Sequence, residues 1–181
     1  MSASGEHYVD NKAFLHALRD YRTACWKAKR RGRKSPPIPE FIGECFLKIA
    51  THLSYRPNFI NYTFREDMVS DGIENCLMYM HNFNPRKSKN PFGYFTSVIY
   101  YAFIRRIQRE RKHTYLKYKL IEDAIITGST LTTPDGMGRV QIDTELLSFD
   151  NVQEFIQKFD EYTDKRRARR RVSTKTGEAA S

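Results

Sequence analysis

Between Asn11 and about Lys119 the apolar residues return every three or four positions and nowhere alternate, a period that helices packed on helices can bury. Phe14, Leu18, Tyr21 and Cys25, with Ala17, Ala24 and Ala28 between them, predict a first helix ending near Gly32. Pro36, Pro37 and Pro39 then make a stiff connector. A second helix from about Glu40 to Leu53 carries Phe41, Ile42, Cys45, Phe46, Ile49, Ala50 and Leu53 as one wide apolar stripe. Thr63-Phe64-Arg65-Glu66 has the form of a capping box, and a third helix is expected from there to about Asn82 on Val69, Ile73, Cys76, Leu77 and Met80. Asn90-Pro91 reads as an N-cap followed by proline at the first helical position, opening a long fourth helix to about Lys119.

Beyond Asp123 the period weakens. Residues 1–7 are expected to be a flexible N-terminus, 8–122 a compact helical domain, and 123–150 a linker whose Gly, Ser, Thr and Pro discourage regular structure. Val152, Phe155, Ile156 and Phe159 predict a short helix over 151–164, and 165–181 is expected to be a basic disordered extension. The fold class is all-α.

Charge narrows the function. The chain has 31 Lys and Arg against 21 Asp and Glu, a net charge of +10, and such an excess points to a polyanionic partner. It is clustered: residues 27–34 hold six basic side chains, 105–119 hold seven, and 165–171 hold six. No apolar run approaches a membrane span, and the first ten residues have neither the basic nor the apolar part of a signal peptide, so a cytoplasmic protein is expected. Cys25, Cys45 and Cys76 form no CxxC pair and fall inside helical patterns, as reduced core thiols do.

Catalytic motifs are missing: no P-loop, nucleophile elbow, HExxH or zinc-finger spacing occurs, so neither an enzyme nor a cofactor is expected. Asp67, Asp71 and Glu74 share one helical face and could hold a metal, as a nuclease requires; an exposed acidic face is the ordinary reading. That face of the third helix comprises Asp67, Asp71, Glu74, Asn75 and Met78, an acidic surface in an otherwise basic chain. On the fourth helix Phe95, Val98, Ile99, Ala102 and Arg106 share one side, and Tyr94, Tyr101, Arg105 and Gln108 another. Tyrosines interleaved with arginines suit unpaired bases, since rings stack on any base and guanidinium groups hold phosphate oxygens. The alternative is that Tyr94, Tyr100 and Tyr101 pack against a neighbouring helix with their hydroxyls in water.

The run Asp67-Met68-Val69-Ser70-Asp71-Gly72, then Phe83-Asn84-Pro85, then Tyr94-Phe95-Thr96 and Arg105-Arg106-Ile107, resembles conserved region 2 of the sigma-70 family of bacterial transcription initiation factors in order and spacing. Tyr8-Val9-Asp10-Asn11-Lys12, Asp71-Gly72-Ile73-Glu74, His81-Asn82-Phe83 and Arg106-Ile107 with Glu110-Arg111-Lys112 resemble the late-transcription sigma factors of T4-type tailed phages. The resemblance covers roughly residues 8–122.

That resemblance implies that the third helix docks on the clamp-helix coiled coil of the host core RNA polymerase β′ subunit through Asp67, Asp71, Glu74, Asn75 and Met78. It implies that the fourth helix meets the −10-like element and the opened non-template strand, with Tyr94, Ser97, Tyr100, Tyr101, Arg105 and Gln108, followed by Arg109, Arg111 and Lys112, as DNA-binding residues. Where primary sigma factors place a wedging tryptophan pair this chain has Ser97-Val98, and where they place a base-reading arginine and glutamine it has Tyr100 and Tyr101. Nothing after Asp123 resembles the helix-turn-helix that reads a −35 element, so promoter choice is expected to need a coactivator. In the phage family that coactivator is a sliding clamp gripping an apolar C-terminal epitope, and residues 176–181 carry no bulky apolar side chain. The implied setting is the cytoplasm of an infected bacterial host. The competing reading is a generic basic helical DNA- or RNA-binding protein that does not dock on polymerase.

Overall fold

Asp10 opens the first helix. Its Oδ1 accepts hydrogen bonds from the amides of Lys12 at 2.8 Å and Ala13 at 3.2 Å, satisfying two donors that a helix start leaves without partners. In the computed structural model, which describes residues 8–127 and 149–178, α1 runs Asn11–Arg30 and stops just before Gly32. The φ of Gly32 is +66°, a left-handed turn that glycine adopts without steric penalty. Then come α2 (Glu40–Ser54), α3 (Arg65–Tyr79), a 3-10 turn (Met80–Asn82), α4 (Pro91–Thr127) and α5 (Phe149–Glu178). The protein is all-α, with no strand among the described residues.

Two compact units divide the chain, Met1–Gln108 and Arg109–Ser181. The first therefore ends inside α4, fourteen or so residues short of the boundary expected near 122. In this unit Phe14 of α1, Phe46 of α2 and Phe95 of α4 meet with ring centroids 4.7 to 5.8 Å apart, and Phe59 stands edge-on to Phe103 at 5.2 Å. All five are fully buried. Such tilted and edge-to-face pairs combine large apolar burial with favourable quadrupole geometry, which makes them the centre of the core.

The second unit contains the C-terminal part of α4 and α5. Tyr115 stacks on Phe159 at 4.4 Å, Tyr118 meets Phe155 edge-on, and Val152 and Ile156 are buried. The stripe that predicts a helix here is real, but α5 is longer than the expected 151–164. It continues through residues 165–178, so the stretch read as a disordered tail is helical that far. Apolar periodicity stops near Tyr162 while helix-compatible arginines and lysines go on, and a backbone that makes its own hydrogen bonds does not need an apolar stripe in every turn. Residues 123–127, placed in the linker, continue α4. The flexible N-terminus 1–7 and linker residues 128–148 lie outside the described residues.

Two local expectations also change. The capping box does not form: α3 is preceded by Phe64, with no side-chain cap, and the helix starts at Arg65. Its buried residues are Met68, Gly72 and Cys76, with Val69 and Ile73 half-buried and Leu77 exposed, so the inward face is rotated by about one position. On α2 the stripe holds except at Phe41, which is exposed. Asn90 caps α4 as expected, its Oδ1 accepting from the amide of Gly93 at 3.0 Å.

The buried thiols make an alkaline signature. Burial pushes Cys76 up from 9.0 to about 12 and Cys45 up to about 11, and burial with a hydrogen bond to Cys25 pushes Tyr21 up to about 12. These groups ionise in the unfolded chain before they ionise in the folded one, so the unfolded state holds fewer protons above pH 9 and stability falls as pH rises. Thermal melts recorded from neutral pH upward should show a melting temperature that declines from about pH 9 toward 12, with less decline in Cys76→Ala.

Candidate interfaces on the third and fourth helices

Gly72 lets the two helices touch. A Cβ built there would lie 3.0 Å from Ile99 Cγ2 and 3.1 Å from Phe103 Cε1, so α3 approaches α4 where α3 has no side chain. One turn to either side of this contact, polar groups of α3 meet two arginines of α4. Arg106 donates to Asp67 Oδ2 at 2.9 Å through Nη2 and to Asp71 Oδ2 at 3.4 Å through Nη1. Arg105 Nη2 donates to Asn75 Oδ1 at 2.6 Å, while Asn75 Nδ2 donates back to the carbonyl of Asp71.

This clasp changes the expected acidic surface. Asp67, Asp71 and Asn75 each meet an arginine of the same unit; Asp71 and Asn75 are half-buried by it, whereas the Asp67 side chain stays 58% exposed. The Asp71 side chain is only 22% exposed and that of Arg106 only 19%. Sequence spacing placed the three residues on one face correctly but carried no information about which cation would cover it. The same geometry bears on metal binding. A guanidinium already stands between Asp67 and Asp71, and no group of three metal-ligating side chains occurs among the described residues. On this side α3 still exposes Glu74, Met78 (60%) and the Asp67 side chain (58%), and Leu77 and Tyr79 are exposed as well. Leu77 belongs to the apolar stripe that predicts the helix, yet it is exposed, and Tyr79 lies outside that stripe. Leu77 lies one turn beyond Glu74 and follows it outward as the inward face of α3 rotates; Tyr79, five residues on, is on another side and no spacing signals it.

The α4 residues separate in the same way. Tyr94 is half-buried, with its ring 5.2 Å from Phe83 and 5.0 Å from Phe95, so it belongs to the rim of the core and not to an open stacking surface. Tyr100 leans edge-on against Phe59 at 5.7 Å and meets Tyr101 at the same distance. Tyr101 is 61% exposed. Ser97, Arg105 and Gln108 are exposed on the same side of the helix as Tyr101, and Ser97 Oγ donates to the carbonyl of Gly93. A ring, a guanidinium and an amide along one strip can stack a base and bind phosphate or base edges. Arg109, Arg111 and Lys112 are exposed in the second unit.

Of the residues expected to bind nucleic acid, the first unit thus brings together Ser97, Tyr100, Tyr101, Arg105 and Gln108, with Arg105 shared between that strip and Asn75. No described helix is long and apolar enough to cross a membrane. No protein-family model matches the chain, and a search of curated proteins finds no match.

Proposed function

We propose that the chain is a sigma subunit of the phage late type. It joins host core RNA polymerase through the open part of α3, Glu74 with Leu77 and Met78, and directs it to −10-like late promoters through the α4 strip centred on Tyr101. The observation that supports this reading is the coexistence, in one compact unit, of an exposed acidic and apolar patch on α3 and an exposed aromatic and basic strip on α4. A sliding clamp or another coactivator completes promoter choice, and the setting is the bacterial cytoplasm. The protein has no catalytic role of its own.

Energetics explain why such a protein depends on an enzyme. Opening roughly ten base-pair steps at about 1.4 kcal/mol each requires on the order of 14 kcal/mol. Stacking two bases on aromatic side chains returns only about 2 to 6 kcal/mol. The free protein should bind DNA weakly, with affinity that falls as salt rises.

Run-off transcription with core polymerase on templates carrying a TATA-rich −10-like element should yield transcripts only when this protein is added. Tyr101→Ala should reduce the yield about tenfold, the loss expected for one stacked base, while capture of the protein by core polymerase stays unchanged. Salt-sensitive DNA binding with no capture by polymerase would instead select the generic nucleic-acid-binding reading, which the exposed Arg109, Arg111 and Lys112 also favour.

A further inference from the structure

A second basic surface lies on α1, lined by residues that belong to neither the α3 patch nor the α4 strip. Arg19, Arg22, Thr23 and Trp26 recur at positions i, i+3, i+4 and i+7 and line one cleft with Asn84, Pro85 and Arg86 from the segment after the 3-10 turn. Its volume is about 730 Å³, within the range of roughly 300 to 1,000 Å³ that small-molecule sites occupy. No acidic side chain is among the described residues that line it. Polar contacts tie the two sides of the cleft to each other. Arg22 Nη1 donates to the carbonyl of Phe83 at 2.7 Å, Arg19 Nη2 to the carbonyl of Pro85 at 3.4 Å, and the amide of Arg86 to Asn84 Oδ1 at 3.0 Å.

Each of those arginine contacts uses one donor of a five-donor fork, which fixes the guanidinium and leaves other N–H groups for a ligand. Trp26 is the only tryptophan of the chain and is 56% exposed, so part of its ring is open to a stacking partner. Arg30 lies over its ring at 4.7 Å from the centroid and adds a further positive charge beside the cleft. An aromatic platform lining one cleft with three arginines suits a ligand that is planar at one end and multiply anionic at the other. A strand offers one charge per nucleotide, spread along its length; a compact di- or triphosphate concentrates several in one place, as these arginines are concentrated.

We infer that the α1 cleft binds a nucleoside polyphosphate, with the base on Trp26 and the phosphates held by Arg19, Arg22 and Arg86. The inference stands on the first unit alone and does not depend on the sigma reading.

Trp26 is its own reporter. Titrating the full chain with a nucleoside triphosphate should quench the fluorescence saturably, and inorganic pyrophosphate should compete with the triphosphate without quenching. Arg86→Ala and Arg19→Ala should each weaken binding about tenfold or more, the loss of one charge-assisted contact, while Lys48→Ala on α2 leaves it unchanged. Arg86 is exposed in a loop, so its variant keeps the fold, which circular dichroism verifies. Trp26→Ala, followed by calorimetry, should also weaken binding. The inference is overturned if quenching does not saturate, if Lys48→Ala matches the arginine variants, or if a single-stranded oligonucleotide without terminal phosphates occupies Trp26 more tightly than the triphosphate.

Discussion

Asp71→Lys is expected to destabilise the protein by about 3 kcal/mol, whereas Glu74→Lys, one turn further along the same helix, should change stability by less than about 0.5 kcal/mol. The difference follows from what each carboxylate touches. Asp71 is mostly buried and paired with Arg106, so the substitution removes a counter-charge and sets an ammonium beside a guanidinium that is itself only 19% exposed. Breaking a buried pair by removing one partner typically costs about 3 to 5 kcal/mol, and the partial exposure of Asp67, which still reaches Arg106, places the value at the low end. Glu74 is exposed, and surface changes away from caps and networks are nearly neutral. Urea unfolding of both variants checks the stability half. For function the order reverses: if α3 docks on polymerase, Glu74→Lys should lower capture by core enzyme at least about tenfold in a fully folded protein. Equal capture of Glu74→Lys and the parent would remove α3 from the docking role. Reversing Asp71 alone is the poorer test, because unfolding imitates a lost interface.

Gly72→Val should destabilise the helix contact by about 2 to 3 kcal/mol, because an added isopropyl group enters a gap already closed by Ile99 and Phe103. Gly72→Ala sets two effects against each other. Alanine gains about 1 kcal/mol of helix propensity over glycine, while its Cβ meets Ile99 Cγ2 at 3.0 Å and Phe103 Cε1 at 3.1 Å, distances that require those side chains to give by a few tenths of an ångström. Both are side-chain atoms, so the net change should stay within about 1 kcal/mol. Separating α3 from α4 should also open the Arg106 clasp, so the loss in Gly72→Val should become smaller in an Arg106→Met background. A double-mutant cycle by thermal or urea unfolding measures that coupling.

The helices were legible because their physics is local. The three-and-four spacing around Phe14, Phe46 and Phe95 encodes a buried stripe, and Asn90-Pro91 encodes a start, whatever the neighbours are. The Thr63 box failed where a local rule meets a tertiary one: Phe64 and Tyr62 pack together at 5.1 Å, both against the core, and the chain enters α3 one residue later than the box requires. The site was half legible. Its residue types and faces could be read, but the pairing of Asp67 and Asp71 with Arg106, thirty-five and more positions away, depends on how Gly72 seats against Ile99. Tyr94 shows the same limit, since periodicity grouped it with Tyr101 and only the packing of Phe83 separates them. The α1 cleft was not legible, because Arg19, Arg22 and Trp26 become a set only when residues 84–86 fold beneath them.

The guanidinium of Arg106 acts as a rivet. With two aspartates of α3 on its prongs and the Ile99–Gly72 contact beneath, the two helices have little freedom to slide past each other. Whatever seizes Glu74 and Met78 therefore sets the tilt of Tyr101 as well, in the way a hand on the flat of a blade sets its edge. Alignment on one side becomes aim on the other, with no side chain needing to change its rotamer.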